Sequence, residues 1–188
     1  IIFLDIDGVL NSQKTFIDNH KWKKIFVKIK TNNIEDIVTR KMLDIDLDKV
    51  FMLRDICNLT GAKIVISSCW RNLIYYILVE EKLISLGLPI IGATPYIDNN
   101  RGEEIRKYLE ENKVDNFIIL DDDIFKDFYE LENYLIKTSF YEDGLSEEIK
   151  DKSNYKLSFS NLTFTLLNCS SLITLLSLSK ESTSLIIL

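Results

Sequence analysis

The chain has 188 residues, a formal net charge of −6, and hydrophobic and charged fractions of 46% and 28%. This length suits one domain with a substantial core and is short for two, and the composition is that of an ordinary soluble globular protein. The acidic balance argues against bulk electrostatic attraction to nucleic acid or anionic membrane. Cys57, Cys69 and Cys169 are widely spaced with no CxxC pair, which indicates neither a disulfide framework nor a zinc site. A reducing, cytoplasmic setting is therefore expected. The chain opens without an initiator Met, which reads as a trimmed amino terminus, and no cationic leader precedes an apolar stretch.

The first residues, Ile1-Ile2-Phe3-Leu4, form an apolar run that reads as a buried strand. It ends in Asp5 and Asp7, two carboxylates spaced i, i+2, and then Gly8. Strand periodicity puts both carboxylates on one side if the strand continues through them. Like charges this close repel, and a divalent cation such as Mg²⁺ relieves the repulsion. Gly8 permits a sharp turn or a close backbone approach to a ligand. Residues 12–45 are polar and mixed, with lysines at 21, 23, 24, 28 and 30, and Val27 to Lys30 alternates like an edge strand. This segment is expected to be a flap or small insertion rather than core, and His20, the single histidine, a solvated residue within it.

Apolar positions at helical spacing predict a helix over 46–60, stopped by Gly61. A strand follows over 62–66, ending in Ser67-Ser68, and then a helix from Leu73 to Leu86. Pro89 to Gly92 is a short third strand, and Arg101 to Asn112 an amphipathic helix after an Asn99-Asn100 cap. Phe117 to Leu120 is another buried strand, and it too ends in carboxylates, Asp121-Asp122-Asp123. The alternation of strands and helices predicts an α/β fold, a parallel sheet with helices on both faces. The domain is expected over 1–155. Residues 156–188 form a Ser/Leu/Thr-rich tail too polar for a membrane helix, and its structure is not legible from the sequence.

In open α/β sheets ligands gather beyond the carboxyl ends of the strands. Here those ends carry Asp5 and Asp7, Ser67 and Ser68, and Asp121 to Asp123, while Arg101 opens a helix. This set, read as Asp5-Ile6-Asp7-Gly8-Val9, Ser67 after Ile64-Val65-Ile66, Arg101 and Asp121-Asp122, resembles the four motifs of the haloacid dehalogenase (HAD) superfamily of phosphohydrolases. More narrowly, Leu4 to Asn11, Ile66-Ser67-Ser68-Cys69-Trp70-Arg71, Gly92 to Pro95, Arg101-Gly102-Glu103-Glu104-Ile105 and Leu120 to Asp123 resemble the small HAD domain of multifunctional RNA-repair proteins. The likeness spans roughly residues 1–150. It implies a three-layer, Rossmannoid HAD-like sheet with a minimal cap.

The resemblance also implies a mechanism. Asp5 is the expected nucleophile, forming an aspartyl-phosphate, and Asp7 the general acid and base. Ser67 and Arg101 contact the transferring phosphoryl group, with Gly8, Ser68 and Arg71 as further phosphate- or substrate-binding candidates. Mg²⁺ is the expected cofactor, held by Asp5, Asp7 through its backbone carbonyl, Asp121 and Asp122. Three choices stay open at this point: Ser67 or Ser68 as the phosphate ligand, Arg101 or Arg106 as the functional cation, and which of Asp121 to Asp123 serve the site. Arg71 either touches substrate or pairs with a carboxylate, and Trp70 reads as core or cleft wall. An open cleft admits phosphorylated RNA or DNA ends without a stable nucleic-acid complex. A small-metabolite phosphatase and a non-catalytic binding protein are the rival readings.

Overall fold

The computed structural model describes residues 1–19, 33–98 and 100–158. The elements run β1 (Ile2–Leu4), α1 (13–19), α2 (Ile34–Met42), α3 (Leu47–Thr60), β2 (Ile64–Ile66), α4 (Tyr76–Ser85), β3 (Ile90–Ala93), α5 (Arg101–Asn112), β4 (Ile118–Asp121), β5 (Leu135–Lys137) and α6 (147–158). Two 3₁₀ turns, Cys69–Asn72 and Tyr129–Tyr134, precede α4 and β5. The five strands form one parallel sheet in the order β3-β2-β1-β4-β5. The expected α/β architecture is present.

Each sheet face is closed by its own apolar cluster, because successive side chains of a strand point to opposite faces. Ile2 and Leu4 of β1, Ile64 and Ile66 of β2 and Ile118 and Leu120 of β4 pack with Val50, Leu53 and Ile56 of α3 and Val79 and Leu83 of α4. Phe3, Val65 and Ile119 point the other way, onto Ile105 of α5 with Phe117, Phe128 and Leu131. Tyr108 of α5 meets the Phe3 ring edge-on at 5.6 Å. Strands buried on both faces need continuous apolar runs rather than alternation, which is why three-residue strands such as Ile64–Ile66 hold their place.

The predicted helix at 46–60 is α3, capped by the Asp46 side chain and ending where the Gly61 N–H bonds the Cys57 carbonyl. The helix predicted from Leu73 begins three residues later, at Tyr76. The chain first makes the 3₁₀ turn Cys69–Asn72, where the Ser68 hydroxyl accepts from the Trp70 N–H at 3.4 Å. Helix α5 has the predicted bounds, although the Asn100 side chain makes no capping bond.

The polar segment 12–45 needs correction in its described part. It carries α1 and α2, and Val38 and Ile45 are buried in the main cluster, so the segment contributes to the core. The α2 cap, Asn33 accepting from Glu35 N–H, is local polar chemistry that a polar composition conceals. The expected edge strand at 27–30 and His20 lie outside the described residues. So does the tail from 159 on. The composition boundary at 155/156 falls inside α6, and Leu157 of that helix is 2% exposed in the main cluster. No helix among the described residues is long and apolar enough to cross a membrane.

Because Leu157 fills a core site, Leu157→Ala is expected to cost about 2–5 kcal/mol of unfolding free energy. A urea titration monitored by circular dichroism checks this, and a loss below about 1 kcal/mol would show that α6 is an appendage.

Candidate active site

Parallel pairing sets the site. In register, Leu4 lies opposite Ile66 on one side and Leu120 on the other, and Ile66 lies opposite Ala93. The ladder runs on: the N–H groups of Asp5, Ser67 and Thr94 donate to the carbonyls of Leu120, Leu4 and Ile66, each at 2.9 Å. Thr94, Ser67, Asp5 and Asp121 therefore stand level across the carboxyl ends of four adjacent strands. Winding reverses between β1 and β4, the topological switch point where such sheets bind ligands.

Asp5 and Asp121 are buried at 7% and 1% exposure, and Arg101 faces both. Its Nη1 donates to Asp121 Oδ2 at 2.8 Å and lies 3.6 Å from Asp5 Oδ1. Arg101 opens α5, and its guanidinium also stacks over the Phe125 ring at 4.9 Å. The close seating of that helix end depends on Gly102. A Cβ there would come within 2.2 Å of the Asp127 carbonyl oxygen, while the Asp127 side chain accepts from Glu103 N–H. Arg106 instead pairs with Glu103 and the Asp127 carbonyl, away from the strand ends.

One oxygen each from Asp5, Asp121 and Asp122 lies within 4.8 Å of the others. Burial pushes the Asp5 carboxyl above its usual range, more than Arg101 and a Ser68 hydrogen bond pull it back. Burial and then the Asp5 charge push Asp121 up to about 8, and burial raises Asp122 as well. One guanidinium does not neutralise three crowded carboxylates. Asp5 Oδ1 is also buried with no hydrogen-bond partner. An oxygen-only donor set with unmet charge fits a hard divalent cation. Asp123 stands apart, exposed, with its N–H donating to Asp121 Oδ1 and its own Oδ1 accepting from Ile124 N–H.

Gly8 makes the cluster possible. It adopts φ +71°, and a Cβ built there would lie 2.2 Å from Asp122 Cγ. The turn it permits is tied by Asn11, whose Oδ1 accepts from Gly8 N–H and whose Nδ2 donates to Asp7 Oδ1, both at 2.8 Å. The other Asp7 oxygen accepts from the indole Nε1–H of Trp70 at 2.8 Å. Asp7 thus stands beside the three-carboxylate group rather than in it, with its side chain held by two donors.

Of the two serines, Ser67 has a fully buried hydroxyl without a partner, whereas Ser68 accepts from Trp70 N–H. Arg71 turns away from solvent. Its Nη1 donates to the Ser67 and Ser68 carbonyls at 2.9 and 2.6 Å, and its Nη2 is ion-paired with buried Glu104. The second Glu104 oxygen accepts from Ile97 N–H at 3.0 Å. Arg71 therefore clamps the end of β2 to α5. Cys57 is buried in the main cluster, and burial pushes its thiol up to about 12.

Sequence reasoning left Asn11, Glu104 and Thr94 without roles and read Trp70 as core or cleft wall. Glu104 carries a signal, being an acidic residue on the stripe formed by Arg101, Ile105 and Tyr108 that faces the sheet. Thr94, buried with an unpartnered hydroxyl, follows a short strand and precedes Pro95, a pattern that reads as a turn.

The family model described as "HAD domain in Swiss Army Knife RNA repair proteins" matches residues 1–149. No curated protein and no solved structure matches the chain.

The Arg71–Glu104 pair gives a stability test. Glu104→Ala strands a buried guanidinium and is expected to cost about 3–5 kcal/mol in urea unfolding, and in a double-mutant cycle with Arg71→Met the two losses should be clearly less than additive. Independent, additive losses would show that the two side chains do not act as a pair.

Proposed function

The chain belongs to the family of HAD domains found in Swiss Army Knife RNA repair proteins, and from that premise we propose a Mg²⁺-dependent phosphoester hydrolase that works through an aspartyl-phosphate. The observation that carries the reading is the level row of Ser67, Asp5 and Asp121 at the switch point, with Arg101 facing the carboxylates.

In the first step an Asp5 carboxylate oxygen attacks phosphorus and the bond from phosphorus to the ester oxygen breaks. Asp7 gives its proton to the departing oxygen. In the second step water attacks phosphorus, Asp7 takes a proton from that water, and the bond from phosphorus to Asp5 breaks to release inorganic phosphate. Splitting the displacement leaves each step an easier barrier. Ser67 has a free hydroxyl to donate to a phosphoryl oxygen, and Arg101 is the cation that offsets charge on the transferring group. Asp5, Asp121 or Asp122 and the Asp7 carbonyl would hold Mg²⁺, which supplies neutralisation of phosphoryl charge when bound.

Phosphorylated RNA or DNA ends are the proposed substrate class, supported by the family's place in RNA repair proteins. The net charge of −6 favours brief engagement of an end over a stable nucleic-acid complex. A small-metabolite phosphatase would show the opposite preference in a substrate panel. A non-catalytic binding protein would release no phosphate from either class.

The purified protein is expected to release phosphate from phosphorylated oligonucleotide ends and an aryl phosphate only with Mg²⁺ present, and chelation should abolish release. Asp5→Asn should lower kcat by at least about 10³-fold, as loss of a covalent nucleophile does, with the circular dichroism spectrum unchanged. Full activity in that variant would end the nucleophile assignment.

The raised carboxyls add a pH signature. Folded Asp5, Asp121 and Asp122 hold protons above the unfolded pKa, so stability of the metal-free protein is greatest below about pH 4 for these groups. It is lost as pH rises toward the Asp121 value of about 8. Mg²⁺ replaces those protons, so the rise in Tm on adding Mg²⁺ should be larger at pH 8 than at pH 6. An equal rise at both values would mean that the ion binds elsewhere.

A further inference from the structure

We infer that Trp70 is the positioning residue of the acid and base Asp7, an inference that rests on the hydrolase reading above. Its indole N–H aims the Asp7 carboxylate before any substrate arrives.

A carboxylate has lone pairs for about two hydrogen bonds on each oxygen. Asn11 occupies one on Oδ1 and Trp70 one on Oδ2. An indole N–H and an amide NH₂ can only donate, so neither removes a proton that Asp7 carries. One acceptor position on each oxygen remains for a leaving group or a water. Two donors on two different oxygens also fix the rotation of the carboxylate plane, which a single donor does not.

Trp70 is itself held on all sides. It is 2% exposed, its backbone N–H donates to the Ser68 hydroxyl, and the Lys41 ammonium of α2 sits 3.5 Å over its ring. The next residue, Arg71, grips the Ser67 and Ser68 carbonyls. The indole is thus referenced to the end of β2, beside Ser67, while Asp7 is referenced to the end of β1. Trp70 couples the residue that moves protons to the strand end that presents the phosphate-facing hydroxyl. A buried indole N–H needs an acceptor, and the acceptor here is a half-buried carboxylate 63 residues away on a neighbouring strand end. Misplacement of a reacting group by about 1 Å can cost about 100-fold in rate.

Trp70→Phe keeps an aromatic ring and deletes the donor. The expected result is a loss of about 10- to 100-fold in kcat on an alkyl phosphate, with KM within about twofold. On 4-nitrophenyl phosphate, whose leaving group departs without a proton, the first-turnover burst should keep nearly its wild-type rate. Equal losses on both esters, or none on either, would overturn the positioning role. Asp5→Asn run alongside separates the two levels: if it stays active the aspartyl-phosphate reading on which the role of Asp7 rests fails, and if it is inactive on both esters the Trp70 result stands by itself.

A second measurement covers the case in which Trp70→Phe does not fold. In the otherwise native protein, one of the two indole N–H cross-peaks in a proton–nitrogen spectrum belongs to Trp70, identified by its persistence in Trp22→Phe. Asp7→Ala should move that peak. An unmoved peak would show that the bond does not exist in solution and would overturn the inference.

Discussion

Everything at the site depends on the crowding of carboxylates at the ends of buried parallel strands. Asp5 and Asp121 sit almost solvent-free on adjacent strands, Asp122 lies beside them, and one guanidinium faces the group. Such an arrangement is costly. Desolvation outweighs the Arg101 attraction at Asp5 and Asp121, and it raises the Asp122 carboxyl as well. A fold tolerates this when another charge completes the site, and hard oxygen donors around a small anionic hollow call for a divalent cation. On the proposed reading, such a cation would also offset the charge of a phosphoryl group that Asp5 would otherwise repel.

The surrounding residues serve that constraint. Gly8 leaves space where any side chain would overlap Asp122. Gly102 lets α5 approach the Asp127 backbone and so delivers Arg101 between Asp5 and Asp121. Arg71 and Glu104 spend a buried ion pair on holding the end of β2 to α5. Asn11 and Trp70 hold Asp7 clear of the three-carboxylate cluster. The polar interactions therefore divide between gathering charge and fixing direction, and the apolar clusters on the two sheet faces carry the burial.

Strand ends were readable from the chain because a strand buried on both faces is a continuous apolar run, and its end is marked by the first charge or hydroxyl. Asp5, Ser67 and Asp121 announce themselves that way, and α5 begins at Arg101 as its periodicity predicts. Partners across the sheet were not readable. The Trp70–Asp7 bond joins residues 63 apart, and Arg71 and Glu104 are 33 apart. Nothing local in either residue specifies the other. Helix α2 was hidden by its polar surface, with Val38 the one residue it buries. Strand β5 has three residues with a single buried side chain, too few to show a period. The composition boundary at 155/156 missed Leu157, because one core contact does not alter composition.

The most direct test of the central claim is a crystal structure of the protein grown with Mg²⁺ and a non-hydrolysable phosphate mimic. The expected result is one ion bound by Asp5 and by Asp121 or Asp122, with the mimic at Asp5 in reach of Ser67 and Arg101. An ion bound away from those carboxylates, or a mimic seated elsewhere with the Ser67 hydroxyl still unpaired, would contradict the account.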